Sequence, residues 1–473
     1  MRKKNKNITL AGVRVENYAA EGKSLARVEG KVIFIENAVP GDVVDVRLSR
    51  NKKDWAEGTI TAFRELSAER VEPFCAHFGV CGGCRWQMLP YPKQLEYKQQ
   101  QVEDSLRRIG KITLPDIRPI LGASETVRYR NKLEYTFSNR RFLLPPELHD
   151  AAVSAEQRVA GFHARGLFDK VVDIDVCHLQ EEPTNRIRKA VRDFGLERDL
   201  SFYDIRNHDG WLRNLQIRIC TTGEIMVNLV VGHEDESLTR ELGDRLLQQF
   251  PELTTLLYTV NPKWNDSITG LTPRILHGKG YVIERLEDFR FKIGPKSFFQ
   301  TNTRQACNLY RVTRDMAELT GKETVYDLYC GTGSIGIFVS RLAARVVGVE
   351  VIEEAIGDAR ENAALNGIGH ARFFPGDVTD VCRDSFFEEE GRPDVIITDP
   401  PRAGMSEGLT DSILGIEAPI VVYVSCNPAT QARDLAILDR KYAVTAVQPV
   451  DMFPHTHHIE NIVQLKLREP AKK

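Results

Sequence analysis

Thr324-Val325-Tyr326-Asp327-Leu328-Tyr329 runs straight into Cys330-Gly331-Thr332-Gly333-Ser334-Ile335-Gly336, and a helical pattern then continues from Ile337 to Ala344. A short β-type run, a glycine-rich turn and a helix in that order open a βαβ unit. The turn needs glycines so that the backbone can bend sharply and approach a ligand. Ala344-Arg345-Val346-Val347-Gly348-Val349-Glu350 supplies a second strand and ends in an acid fourteen residues beyond Gly336. An acid at that strand end can take the two hydroxyls of a ribose. Gly376-Asp377-Val378 closes a further strand, with Asp377 where an adenine-contacting acid would stand. From about Glu323 onward the pattern therefore predicts an α/β, Rossmann-like domain.

Two more apolar runs extend the sheet. Asp394-Val395-Ile396-Ile397-Thr398 ends at Asp399-Pro400-Pro401-Arg402, and Val421-Val422-Tyr423-Val424-Ser425 ends at Cys426-Asn427-Pro428. Continuous hydrophobic runs are what strands buried on both faces require, and chemistry in such sheets sits past the strands' carboxyl ends. The glycine turn alone serves NAD and S-adenosylmethionine equally well. Asp399-Pro400-Pro401 separates them, because rigid backbone carrying a polar group suits a planar nucleobase, which a dehydrogenase has no need to hold. A lone cysteine at a strand end reads as a packing residue. Beside this glycine turn and this acid, Cys426 reads as a nucleophile.

Upstream, residues 8 to 63 alternate apolar and polar positions in short runs broken by glycine, the signature of a small all-β barrel. Arg47, Arg50, Lys52 and Lys53 cluster at one strand end, suited to backbone phosphates or to plain solvation. Cys75, Cys81 and Cys84 follow in a C-x5-C-x2-C spacing, with Gly82-Gly83 letting backbone amides turn toward sulfur. Three thiols this close imply a metal; Cys177 is the best fourth ligand, with His77 and His178 as alternatives, and chemistry alone hardly separates zinc from an iron-sulfur cluster. The polar helix from Gln94 to Ile109 reads as a connector. Residues from about 120 to 290 read as an α+β domain, in which Arg128, Arg130 and Lys132 alternate with apolar residues as on an RNA-facing strand.

The chain has 473 residues, 42% of them apolar, a net charge of -2 and nine cysteines. Such a chain has no whole-protein basic field, so nucleic acid must be gripped by local patches. Without an apolar run of membrane-spanning length it is expected to be cytoplasmic, with no membrane partner and no obligate protein partner. Cys220, Cys307, Cys330 and Cys382 read as packing thiols, and His455, His457 and His458 as a hairpin surface or phosphate contact.

With Phe298-Phe299-Gln300-Thr301-Asn302 and the closing Met452-Phe453-Pro454-His455-Thr456-His457-His458-Ile459-Glu460, these motifs resemble the uracil-C5 RNA methyltransferases, the family that makes 5-methyluridine in transfer and ribosomal RNA. The resemblance covers nearly the whole chain. It implies a TRAM-like, OB-type β-barrel over 1–66, a central α+β RNA-binding domain with an iron-sulfur segment over 67–295, and a class I S-adenosylmethionine-dependent methyltransferase domain over 296–473. It further implies a [4Fe-4S] cluster on Cys75, Cys81, Cys84 and Cys177, and a cofactor held by Gln300, Tyr329, Glu350 and Asp399. Cys426 would be the nucleophile and Glu460 the base that removes the C5 proton. Barrel plus cluster is most similar to the 23S ribosomal RNA members, of RlmD type, the transfer-RNA enzyme being expected to lack both. The competing expectations are a transfer-RNA uracil methyltransferase, an amino-directed methyltransferase and an RNA-binding scaffold with an inactive domain.

Overall fold

The computed structural model describes residues 8–144, 147–148, 150, 153–381 and 383–469; Cys382 lies outside them. Near the N-terminus, β1 (Thr9–Arg14), β2 (Asn17–Tyr18), β3 (Ser24–Val28), β4 (Lys31–Ile35), β5 (Val43–Asn51) and β6 (Trp55–Glu65) form one sheet in the order β1-β5-β6-β4-β3-β2. Its alternation works as expected: Val13, Ala26, Ile33, Ile35, Val44, Val46 and Ala56 meet in a small core of their own. Arg47, Arg50, Lys52 and Lys53 are exposed at the β5 end.

Helix α1 (Tyr91–Ser105) follows the cysteine segment. The central sheet contains β7 (Lys132–Ser138), β8 (Val159–His163), β9 (Val171–Asp173), β10 (Leu212–Ile219), β11 (Ile225–Val231), β12 (Thr255–Val260) and β13 (Arg274–His277), in the order β13-β12-β11-β10-β7-β8-β9. Helices α2 (Thr184–Glu197) and α3 (Glu236–Gln249) cover it through Ile187, Val191, Phe194, Leu242 and Leu246. The hairpin β14 (Val282–Leu286) with β15 (Phe289–Ile293), and α4 (Thr303–Met316), share a core with the C-terminal sheet.

That last sheet contains β16 (Thr324–Leu328), β17 (Arg345–Glu350), β18 (Ala371–Pro375), β19 (Val395–Thr398), β20 (Ile420–Ser425), β21 (Tyr442–Val450) and β22 (Glu460–Leu467). Helices α5 (Ser334–Val339), α6 (Glu353–Leu365), α7 (Val378–Val381), α8 (Asp384–Glu390), α9 (Glu407–Ile416) and α10 (Pro428–Leu438) connect them. The strand order is β18-β17-β16-β19-β20-β22-β21, with β22 antiparallel to both of its neighbours. Both faces are covered, which is why the strands read as unbroken apolar runs. Val325, Ile397, Val422 and Val424 belong to one core and Tyr326, Ile396, Val421 and Tyr423 to the other. Among the described residues no helix is long and apolar enough to cross a membrane.

Candidate active site

The order β18-β17-β16-β19-β20 reverses direction between β16 and β19. A crevice opens at such a switch point, outside the carboxyl ends of the strands, and the glycine turn lies there. Tyr329 takes a left-handed φ of 62° to leave β16, and Gly331 and Gly333 continue at 53° and 75°. A Cβ at Gly333 would stand 3.0 Å from Ala359 and the Phe373 ring, whereas one at Gly331 would meet nothing within 4 Å. Gly333 thus serves close packing, and Gly331 leaves open space on the ligand side. The turn is pinned from below by Gly336 N–H donating to Asp327 Oδ2 at 2.7 Å.

Glu350 ends β17 nearly buried, and it accepts from the Gly331 N–H at 3.2 Å with one oxygen and from the Ile352 N–H at 3.0 Å with the other. Its carboxylate is therefore held in one orientation at the strand end. Asp377, just past β18, accepts from the Thr379 N–H and hydroxyl, which hold its carboxyl below the usual range. Gln300 is buried on the approach to α4, where Asn131 Nδ2 donates to its backbone carbonyl at 2.9 Å. Phe298, two residues earlier, is 71% exposed, and its carbonyl accepts from the Thr332 hydroxyl beside the turn.

Strand register brings the remaining groups together. β20 and β22 run antiparallel with Ser425 paired to Asn461, so one step further along Cys426 stands opposite Glu460. β19 lies parallel to β20 with Thr398 paired to Tyr423, which puts Asp399 at the same edge. Burial pushes the Cys426 thiol up to about 11, the negative charges of Glu460 and Asp399 push the same way, and the Arg402 guanidinium opposes them. Burial also raises Asp399 and Glu460; Asp399 raises Glu460 further, and Arg402 again opposes. Desolvation thus favours the thiol over the thiolate at Cys426 in the free protein. Arg402 is the cation the sequence reading passed over, although its place after Asp399-Pro400-Pro401 puts it at the same strand edge.

The approach to Glu460 is equally well defined. Arg128 and Arg130 lie ahead of β7 rather than on it, and the Arg130 guanidinium lies 5.1 Å from the Phe453 ring centroid. Lys132 is only partly exposed, beside Glu134. The three histidines are not a hairpin surface. His455 is buried at a φ of 63°, His457 and His458 pack with centroids 4.2 Å apart, and burial lowers all three, so they are neutral.

Among the four expected metal ligands, the thiols of Cys75, Cys81, Cys84 and Cys177 are close enough that each of the other three raises Cys177. Gly83 N–H points at Cys81 Sγ at 3.5 Å. His77 is no candidate ligand through Nε2, which accepts from the Asp175 N–H at 2.9 Å. Burial pushes Cys84 up to about 11 and Cys177 to about 12. Among the described residues, however, no three His, Cys, Asp or Glu side chains converge closely enough to hold a metal ion.

A seven-stranded sheet of this order, with a glycine turn at its switch point and an acid at the end of the next strand, defines a class I methyltransferase fold. Comparison with known proteins narrows the class. The tRNA (Uracil-5-)-methyltransferase family matches residues 271–468. An uncharacterized RNA methyltransferase of Bacteroides thetaiotaomicron is 55% identical over 95% of this chain and 100% of its own length. One from Halalkalibacterium halodurans is 39% identical over 98% of each. The crystal structure of Pyrococcus abyssi tRNA (uracil-54, C5)-methyltransferase in complex with S-adenosyl-L-homocysteine superposes with a TM-score of 0.74 at 28% identity, covering 96% of this chain and 100% of that one. The chain belongs to the S-adenosylmethionine-dependent RNA uracil-C5 methyltransferase family. The likeness to a transfer-RNA enzyme spans nearly the whole of both chains, so the N-terminal layout does not by itself select ribosomal RNA.

Proposed function

We propose that this chain transfers a methyl group to C5 of a uridine in 23S ribosomal RNA through a covalent adduct between Cys426 and C6, with Glu460 removing the C5 proton. The observation that carries the reading is the register placing Cys426 opposite Glu460 with Asp399 on the adjoining strand end. Bound S-adenosylmethionine supplies an electrophilic methyl group on a cationic sulfonium. Gln300 would hold its methionine end, Tyr329 would flank it, Glu350 would hold the ribose, Asp377 the adenine, and Asp399 would contact the base and cofactor.

Uracil C5 is too weak a nucleophile to attack a sulfonium methyl unaided. Cys426 gives its proton to solvent and adds as thiolate to C6, forming a C–S bond and moving the C5–C6 electron pair into an enolate ending on O4. C5 then takes the methyl group, and the C–S bond of the sulfonium breaks to leave neutral S-adenosylhomocysteine. Glu460 takes the C5 proton, the C5–C6 double bond re-forms, and Cys426 departs as thiolate. Arg402 favours each anionic form of Cys426 and Glu460. A stacked uridine cannot reach this edge, so the base is flipped out; exposed Phe298 and the Arg130–Phe453 pair are candidates to stack against the opened RNA.

The test is trapping with RNA that contains 5-fluorouridine, because fluorine at C5 leaves no proton to remove. An adduct on 23S RNA that survives denaturation, and is absent in Cys426→Ala, is the expected outcome. The Pyrococcus abyssi likeness favours a second reading, a uridine in transfer RNA. Adduct on transfer RNA alone would establish that reading, and adduct on neither would remove the covalent mechanism.

Cys75, Cys81, Cys84 and Cys177 are proposed to hold a [4Fe-4S] cluster. Four mutually interacting thiols and an N–H aimed at sulfur support this reading; the spread of the four side chains weighs against it. The cluster would act as a cross-link between the cysteine segment and the central sheet. Anaerobically purified protein should carry iron and acid-labile sulfide in equal amounts, and Cys177→Ser should lose both. Protein without iron, or with zinc in its place, would refute the cluster.

A further inference from the structure

Between β21 and β22 the chain runs from Asp451 to Ile459 and delivers Glu460 to the crevice. This segment has little regular structure of its own; besides bonds within itself, such as Thr456 N–H to the Phe453 carbonyl, several of its buried polar groups are held by residues more than 300 positions away. Lys98 and Asp451 are both wholly buried, and Lys98 Nζ donates to Asp451 Oδ1 at 2.6 Å and to the Phe453 carbonyl at 3.2 Å. Tyr91 OH donates to Asp451 Oδ2 at 2.8 Å, and Asp451 Oδ1 also accepts from the Phe453 N–H at 3.0 Å.

Four residues earlier on the same face of α1 lies Gln94, also wholly buried. Its Oε1 accepts from the His455 N–H at 2.8 Å, and its Nε2 stands 3.1 Å from His455 Nδ1. The same Nε2 donates to the Trp86 and Leu89 carbonyls at 3.0 and 2.9 Å. The His455 carbonyl accepts from the Arg85 and Trp86 N–H groups at 2.7 and 3.0 Å, and Tyr129 OH donates to the Pro454 carbonyl at 3.0 Å. From its own domain the segment receives an Asn302 side chain, donating to the Met452 carbonyl at 2.9 Å.

We propose that Gln94 and Lys98 are positioning residues for the last chemical step: α1 sets the path of the Asp451–Ile459 segment and so fixes where the Glu460 carboxylate meets the C5 proton. This rests on the assignment of Glu460 as the base. A buried charge pair is an expensive way to gain stability, since apolar side chains of the same size do as well, whereas it fixes one register of the two segments it joins. Buried amides with every group bonded restrict geometry in the same way. Left-handed His455 needs that restriction, because its backbone conformation is one that a free loop would relax. Cys426 is set by β20 and lies outside this clamp, so adduct formation and methyl transfer do not depend on it.

The experiment separates the steps. Each variant is mixed with S-adenosylmethionine and ordinary uridine-containing RNA, quenched with denaturant, and scored for methyl groups transferred and for RNA still linked to protein. Glu460→Gln is the reference, and a methylated adduct should accumulate because nothing removes the proton. Gln94→Leu should accumulate the same adduct, with release slowed about tenfold or more and single-turnover methyl transfer near the parent rate. Lys98→Met leaves Asp451 buried without its cation and risks misfolding, so the Lys98→Met/Asp451→Asn pair, which removes both charges, carries the same expectation. If Glu460→Gln traps adduct while the α1 variants turn over like the parent, or lose methyl transfer and release in equal measure, the positioning role is overturned. If Glu460→Gln traps nothing, the base assignment fails and takes this inference with it.

Discussion

Cys426 shows how far a residue's chemistry departs from its motif. Its place at the end of β20 is legible, because an apolar run ending in Ser-Cys-Asn-Pro locates a strand edge. Its protonation is not legible, since desolvation and the nearness of Glu460 and Asp399 exist only once three strands are side by side. A thiol lifted from 9.0 to about 11 is protonated at neutral pH and loses its proton as pH rises toward the lifted value. Alkylation of Cys426 by iodoacetamide, followed on its own peptide, should therefore climb about tenfold per pH unit between roughly 8 and 10. A positive charge beside the thiol favours the anion, so S-adenosylmethionine should accelerate alkylation relative to neutral S-adenosylhomocysteine, and Arg402→Gln should slow it. Equal rates with the two cofactor forms would mean that the sulfonium does not reach the thiol. Glu350 is the opposite case: an acid at the end of the second strand is readable from spacing, and the structure adds only its bonds to Gly331 and Ile352.

At the scale of elements, the strands of the last sheet and its glycine turn can be read because local and tertiary demands coincide. A strand covered on both faces must be apolar throughout, and Val421 to Val424 is. Helix α1 fails the same reading. Its buried positions are Gln94, Tyr97, Lys98 and Val102, spaced as one helical face yet mostly polar. Hydrophobic periodicity passes over such a face, and the helix then reads as a connector. What makes the face internal is a set of partners on a segment more than 350 residues away, Asp451 and His455, which no local pattern encodes. The same distance hides the histidines. His455 looks like part of a polar turn until Arg85, Trp86 and Gln94 close over it.

For the whole molecule, the N-terminal barrel is tied to the crevice and is no loose appendage. At Gly22, in the turn before β3, a Cβ would stand 2.7 Å from His457 Cβ, so only glycine allows that approach. Arg165 reaches from the central region to the Cys84 carbonyl at 2.8 Å and to Asn37 of the barrel. A rigid arrangement of this kind lets a basic patch on the barrel act at a fixed distance from Cys426. With a net charge of -2 the chain as a whole does not attract RNA, so the attraction must come from such patches. Arg47, Arg50, Lys52 and Lys53 are exposed together at the end of β5, remote in sequence from every residue of the crevice. Replacing all four by glutamine should weaken RNA binding and reduce the steepness of its salt dependence. For every phosphate that the barrel no longer neutralises, the slope of log K against log salt should fall by about 0.7 to 0.9. Turnover at saturating RNA should stay that of the parent, because the substitutions leave the crevice untouched. An unchanged salt slope would mean that RNA does not run across the barrel, and a loss of turnover at saturation would mean that the barrel also shapes the crevice.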